Sequence, residues 1–199
     1  EESKKNIECH LAMSTGRCKK IEVRIVEENR GRDISALLIT CKDINEVGRY
    51  DAICRVHSKK SPQVCYNSGQ LFKSHMYENV LSSSGYINQI LNFLSKPYIG
   101  FLMPTMIHVG YSTLGHSWFV NKEETIKWAK KLGIKTKFDE ISPHAAYGTM
   151  FWYRPIALKK LFDYEWKWSD FNAEVADDKS SKGHTDGSTA HAIERLFTY

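Results

Sequence analysis

Apolar and polar positions change period several times along this chain, and each change marks an element. Residues 21–27 alternate and are rich in β-branched side chains, which predicts a strand. Ile34, Leu37, Leu38 and Cys41 then recur at helical spacing behind Asp33, a residue type that caps helices. Asp51 to His57 reads as a second strand. Strand, helix and strand in that order make one βαβ unit, which favours a parallel sheet and a right-handed crossover. A polar loop follows from Ser58 to Gly69. Helices are predicted near 70–82, carrying Phe72, Met76 and Val80, and over 85–95, with Ile87, Ile90, Leu91 and Leu94 on one stripe. Pro97 ends the second, and the apolar run Tyr98 to Met103 suits a buried strand.

Residues 104–120 read as a loop rich in glycine, histidine and aromatics. Asn121 with Glu124 predicts a capped helix to Leu132, closed by Gly133. Gly148 to Tyr153 is a further apolar strand, and Pro155 sits at the first position of a short helix. After the aromatic stretch Tyr164 to Phe171, residues 172–185 are polar and predict a mobile loop. Ala190, Ile193, Leu196 and Phe197 mark a closing helix, while residues 1–20 read as a polar helix or tail. Strands alternating with helices, without internal repeat, predict one α/β domain over 1–199.

Composition narrows this picture. With 42% apolar and 26% charged residues in 199, the chain is neither a disordered polymer nor a coiled coil. No window approaches the roughly 18 apolar residues of a membrane span. The net charge of +5 is compatible with an anionic ligand. A nucleic-acid partner is not expected, because the basic clusters sit at strand ends and the aromatics elsewhere. Five cysteines without a paired spacing predict reduced thiols. Eight histidines, with His108 and His116 in one loop, match no zinc signature, so no metal site is expected. The chain starts at Glu1 without a secretory pattern and reads as a piece of a longer, cytoplasmic protein.

The chemistry gathers at turns. Asn29, Arg30, Gly31, Arg32 and Asp33 lie between a strand end and a helix start, where open α/β sheets bind ligands. Two arginines beside a helix start suit a phosphate or diphosphate. Asp33 could hold a ribose-like sugar or merely cap the helix, and the alternative for the whole cluster is a solvated turn relieved by Gly31 and capped by Asp33. His57, Lys59 and Lys60 close the next strand and would face the same crevice, unless they too are a solvated turn. Trp152, Tyr153, Trp168 and Asp170 offer an aromatic floor and a carboxylate for a sugar acceptor; Met150 to Tyr153 reads equally as core. Asp186, ahead of the last helix, suits a general base or a simple cap, with His191 in reserve. Glu194 and Arg195 read as a local ion pair.

The first two clusters resemble the donor site of GT-A glycosyltransferases, where a strand ends in a metal-binding Asp-x-Asp. Here that position reads His57-Ser58-Lys59, whose cations could stabilise a leaving diphosphate directly. The expectation is metal-independent transfer without a cofactor.

Four blocks together resemble the rhamnan synthesis protein F family. They are Asn29 to Asp33, Tyr50 to Lys60, Gly148 to Pro155, and Asp186 to Arg195. The resemblance implies a GT-A-like, Rossmann-related, mostly parallel sheet flanked by helices, with its first strand outside this chain. It implies a rhamnosyltransferase of bacterial cell-wall polysaccharide or lipopolysaccharide, using a dTDP-activated sugar and acting by inversion. The acceptor would be a glycan or lipid-linked glycan at the inner face of the membrane. The rival expectation is a non-catalytic, transferase-like module that binds or helps assemble glycan.

Overall fold

The computed structural model describes residues 2–13, 19–58, 65–105, 118–172 and 187–199. Three short strands form its sheet: β1 (Ile53–Arg55), β2 (Phe101–Leu102) and β3 (Phe151–Tyr153), in the order β1-β3-β2. Both pairings are antiparallel, with Cys54 opposite Trp152 and Phe101 opposite Tyr153. β1 and β2 therefore run in the same direction with β3 between them.

The chain joins β1 to β2 through two helices, α3 (Tyr66–Leu81) and α4 (Ser84–Leu94). This helical crossover replaces the one expected between residues 21 and 57. Residues 21–26, predicted as a strand, form no ladder and leave Ile21, Ile25 and Val26 exposed. What fixes this segment is a side chain: Arg24 ion-pairs with Asp43 and donates to Thr40 O at 2.9 Å. The other elements are α1 (Glu2–Ala12), α2 (Arg32–Ser35), α5 (Lys122–Lys131), α6 (Lys159–Asp163) and α7 (Thr189–Glu194). α2 runs on into a π-helical turn over Ala36–Thr40.

Strand alternation divides the interior in two. Phe151 and Tyr153 point to the larger core, with Ile34, Leu38, Trp128, Phe162, Trp166, Phe171, Ile193 and Phe197. Met150 points the other way and packs with Phe72, Met76 and Val80 of α3, where Cys54 and Trp152 join. Helices thus cover both faces of the sheet, each fully buried large side chain stabilising it by about 1.5–3 kcal/mol.

Two capping expectations are corrected. Gly31, not Asp33, stands at the start of α2, in the left-handed region at φ 66°. Asn121 does not cap α5 with its side chain; its amide donates to Trp118 O and its carbonyl accepts from the Gly187 amide at 2.6 Å. Ser83 and Ser188 are the working caps, of α4 and α7. Pro155 opens its short helix as expected. Cys9, Cys41, Cys54 and Cys65 are free thiols. Nearly all of the predicted mobile loop lies outside the described residues.

Gly31 is required by packing as well as by φ. A Cβ there would lie 2.4 Å from the Phe171 ring, whose own place is deep in the larger core. Gly31→Ala is expected to cost about 1–3 kcal/mol from overpacking and the strained φ together. Urea denaturation monitored by tryptophan fluorescence reads this directly, and an unchanged midpoint would show that the turn adapts.

Candidate functional site

Two turns meet at the end of β1. In the first, Gly31 and Arg32 both take positive φ, at 66° and 54°. Ser35 ties this turn, its hydroxyl donating to the carbonyls of Arg30 and Arg32. In the second, just before β3, Gly148 and Thr149 do the same at 82° and 52°. Glu194 of α7 accepts the Gly148 amide at 3.1 Å and holds it there. Residues other than glycine in this region are uncommon and strained, so each is held by its surroundings.

Asp33 Oδ2 is where the two turns join. It accepts from the Arg55 guanidinium and from Thr149 Oγ1 at 2.7 Å, and lies 3.8 Å from His57 Nε2. Arg55 also donates to Thr149 O and to Asp33 O, and its side chain is only 8% exposed. His57 Nε2 lies 2.8 Å from Gly148 O and 3.0 Å from Thr149 Oγ1, while Nδ1 lies 3.2 Å from Ser58 O. Each ring nitrogen faces a carbonyl oxygen. Tyr77 of α3 donates to His57 O at 3.0 Å and ties the strand end to the opposite layer. Burial pushes the Asp33 carboxyl up. The charges of Arg55 and His57, with the hydrogen bonds from Thr149 and Arg55, outweigh it and hold that carboxyl below the usual range.

α7 packs against α2 and adds a second pair. His191 Nδ1 lies 2.8 Å from Ser188 Oγ, and Nε2 lies 3.3 Å from Arg32 Nη1. Arginine only donates, so Nε2 is the acceptor and Nδ1 carries the proton. A base role for His191 would first need Arg32 to move. Beside it Arg195 is buried, paired with Glu194 at 3.4 Å and placed over the Tyr147 ring. The expected ion pair is present, but it belongs to the interior.

The structure places the sequence candidates in three groups. Asp33 and His57 share the central network; Arg32 and His191 adjoin it. Arg30 turns away, pairing with Glu28 at 3.0 Å and donating to Phe171 O, and with Asp170 lines a polar groove of about 560 Å³. Asn29 is exposed between them. Lys59, Lys60 and Asp186 lie outside the described residues.

The four acceptor candidates are not brought together. Tyr153 is fully buried, its hydroxyl on Asn45 Oδ1, so it has no face for a sugar. Burial pushes its phenol up. Asp170 caps its own turn through the Lys167 amide and pairs with Lys131 at 3.4 Å. Trp168 reaches Glu27 at 3.3 Å. Trp152 lines a separate groove against α3 and α4. Arg55 and Thr149 were missed from the sequence. The available signal was an arginine inside an otherwise apolar strand, a position that demands a buried partner.

The profile of rhamnan synthesis protein F matches residues 1–199. The chain belongs to this family. Membership ties the chain to polysaccharide synthesis. It is also 27% identical over 178 residues to WxcX, itself uncharacterized, from two strains of Xanthomonas campestris pv. campestris. That match covers 85% of this chain and 22% of the relative, so the chain spans about a fifth of the curated proteins it resembles. No solved structure matches it. No helix among the described residues is long and apolar enough to cross a membrane. No group of three or more His, Cys, Asp or Glu converges among them as a metal ion requires.

Replacing Asp33 by Asn should leave the Arg55 charge buried without its counter-charge. The expected loss is about 1–3 kcal/mol near neutral pH, the range for hydrogen bonds to charged groups. Because the folded carboxyl lies below its ordinary value of 3.8, its contribution is present above that value and fades as pH falls below it. Urea midpoints of Asp33→Asn and the parent chain should therefore keep a constant gap from neutral pH down to about pH 5 and draw together as pH falls below 3.8. A gap that stays constant below that value would mean that the carboxylate charge is not what stabilises the turns.

Proposed function

We propose that this chain is the part of a glycosyltransferase that binds a nucleotide-diphosphate sugar and transfers the sugar to a glycan hydroxyl. The donor is a dTDP-activated rhamnose, and the acceptor a glycan or lipid-linked glycan. One observation carries the reading: the turn 29–33 lies against the end of β1 and the residues that follow it, with Asp33 Oδ2 3.8 Å from His57 Nε2. Arg32 and Arg55, the latter paired with Asp33, stand there beside the His57 ring, and Lys59 and Lys60 follow directly in the chain. Helices on both faces of the sheet, and the common direction of β1 and β2, support a GT-A-like α/β scaffold.

Each group then has a role. Arg32 and His57, with Lys59 and Lys60, would stabilise the diphosphate in place of a divalent cation. Arg55 holds Asp33 and Thr149, so Asp33 acts as a positioning residue for these turns and not as a sugar ligand. The acceptor oxygen attacks the anomeric carbon while the bond from that carbon to the diphosphate oxygen breaks. The electron pair leaves with the diphosphate, and the hydroxyl proton passes to the Asp186 carboxylate. Attack from the face opposite the leaving group inverts the centre. Asp186 precedes Gly187, whose amide is held by Asn121, and Thr189 donates to Asn172 Oδ1 at 3.2 Å. The ends of the segment bearing Asp186 are thus anchored beside α5 and α7.

In the full-length protein with dTDP-rhamnose, Asp186→Asn is expected to lower turnover about 10²–10⁴-fold while donor affinity is kept. Arg32→Ala and His57→Ala should weaken donor binding instead. Added EDTA should leave turnover unchanged. Unchanged turnover in Asp186→Asn would overturn the base assignment, and loss of activity on chelation would overturn metal-free stabilisation.

A further inference from the structure

We propose that the open groove between α3, α4 and β2 binds an uncharged, deoxysugar-rich glycan chain. The inference rests on the chain's part in polysaccharide synthesis, and not on which groups perform transfer. The groove has a volume of about 600 Å³, within the range of ligand sites. No acidic or basic side chain lines it, although 26% of the chain is charged. A nucleotide or an acidic polymer would lose its hydration there and find no counter-charge.

What the groove offers is aromatic carbon interleaved with neutral polar groups. Trp152, Tyr86 and Phe93 supply the rings, and Asn79, Ser83 and Gln89 the amides and hydroxyl. The ring polar ends are already satisfied inside the fold. Trp152 Nε1 donates to Val80 O at 3.0 Å, and the Tyr86 hydroxyl to Asn79 O at 3.1 Å. Their rings are therefore fixed in place before any ligand arrives, which lowers the cost of binding. The exposed Gln89 amide makes no hydrogen bond among the described residues and is available to a sugar hydroxyl. Lys96 sits over the Phe93 ring, 5.0 Å from its centroid, without lining the groove.

The exposure pattern of α4 points the same way. Ile90 and Leu94 face the interior, yet Phe93 is 45% exposed beside Tyr86 at 37%. A pyranose ring has a face of C–H groups and a rim of hydroxyls, and a 6-deoxyhexose adds a methyl group. Its apolar side suits the aromatic wall and its rim suits the amides. Trp152 follows Thr149 by three residues, on the order of 10 Å of extended chain, so a short oligosaccharide bound here lies within reach of the polar turns.

Calorimetry of the full-length protein, without donor, tests this with a rhamnose hexasaccharide as probe and an oligogalacturonate as charged control. The neutral probe should bind saturably and the charged control at least about tenfold more weakly. Phe93→Ala with Gln89→Ala should weaken the neutral probe about tenfold with an unchanged far-ultraviolet spectrum. Gln89→Ala alone, at an exposed helical position where folding is not at risk, should weaken it about threefold. Absence of saturable binding, equal affinity for the acidic control, or full affinity in these variants would overturn the proposal. Failure of the transferase reading would show in turnover and donor affinity, which this measurement does not involve.

Discussion

The buried guanidinium of Arg55 is the constraint on which the site depends. It sits over the Phe151 ring at 5.4 Å, among apolar neighbours, where an unpaired charge would be very costly. Its hydrogens are met by Asp33 and by the Thr149 carbonyl. Both acceptors come from turns whose backbone lies in the left-handed region. Satisfying one charge therefore draws together three chain segments that are far apart in sequence. His57 and Arg32 are carried into place with them, and each keeps contacts of its own, His57 with Gly148 O and Arg32 with His191.

The short sheet serves this arrangement by being covered on both faces. Alternation along β3 sends Phe151 and Tyr153 to the larger core and Met150 and Trp152 to the smaller one. Thr149, two residues before the strand, thus lies at the polar turns, and the strand carries Trp152 on the groove side. One strand three residues long connects a charged end to a neutral, aromatic groove. Strand geometry thus keeps the polar turns and the neutral groove apart.

Much of this was legible along the chain. The two helices after residue 66, the strand around Phe151, the break at Pro97 and the proline start at 155 follow from periodicity and punctuation. His57 was expected beside the turn at 29–33, and Asp33 does lie 3.8 Å from its ring, while Lys59 and Lys60 lie outside the described residues. Other readings failed for identifiable reasons. Residues 21–26 alternate like a strand, but alternation does not supply a neighbour with free amides and carbonyls, and Arg24 anchors the segment through Asp43 instead. Tyr153 looks like a platform in sequence, yet its parity along β3 turns it inward. Arg30 and Arg32 are two residues apart, yet Arg30 lines a groove with Asp170 and Arg32 meets His191, because the left-handed pair Gly31 and Arg32 twists the chain between them.

The sequence by itself determined the residue types at the turns, the order of helices and strands after residue 50, and the family to which they belong. Local propensity and hydrophobic period are properties of neighbours in the chain, so they can be read there. Tertiary structure alone decided that Asp33 would meet Arg55 and Thr149, that Asp170 would close its own turn, and that Trp152 would wall a groove without charge. Those outcomes depend on which buried polar groups find partners and on which face of a strand looks inward, and both are settled only when distant segments pack.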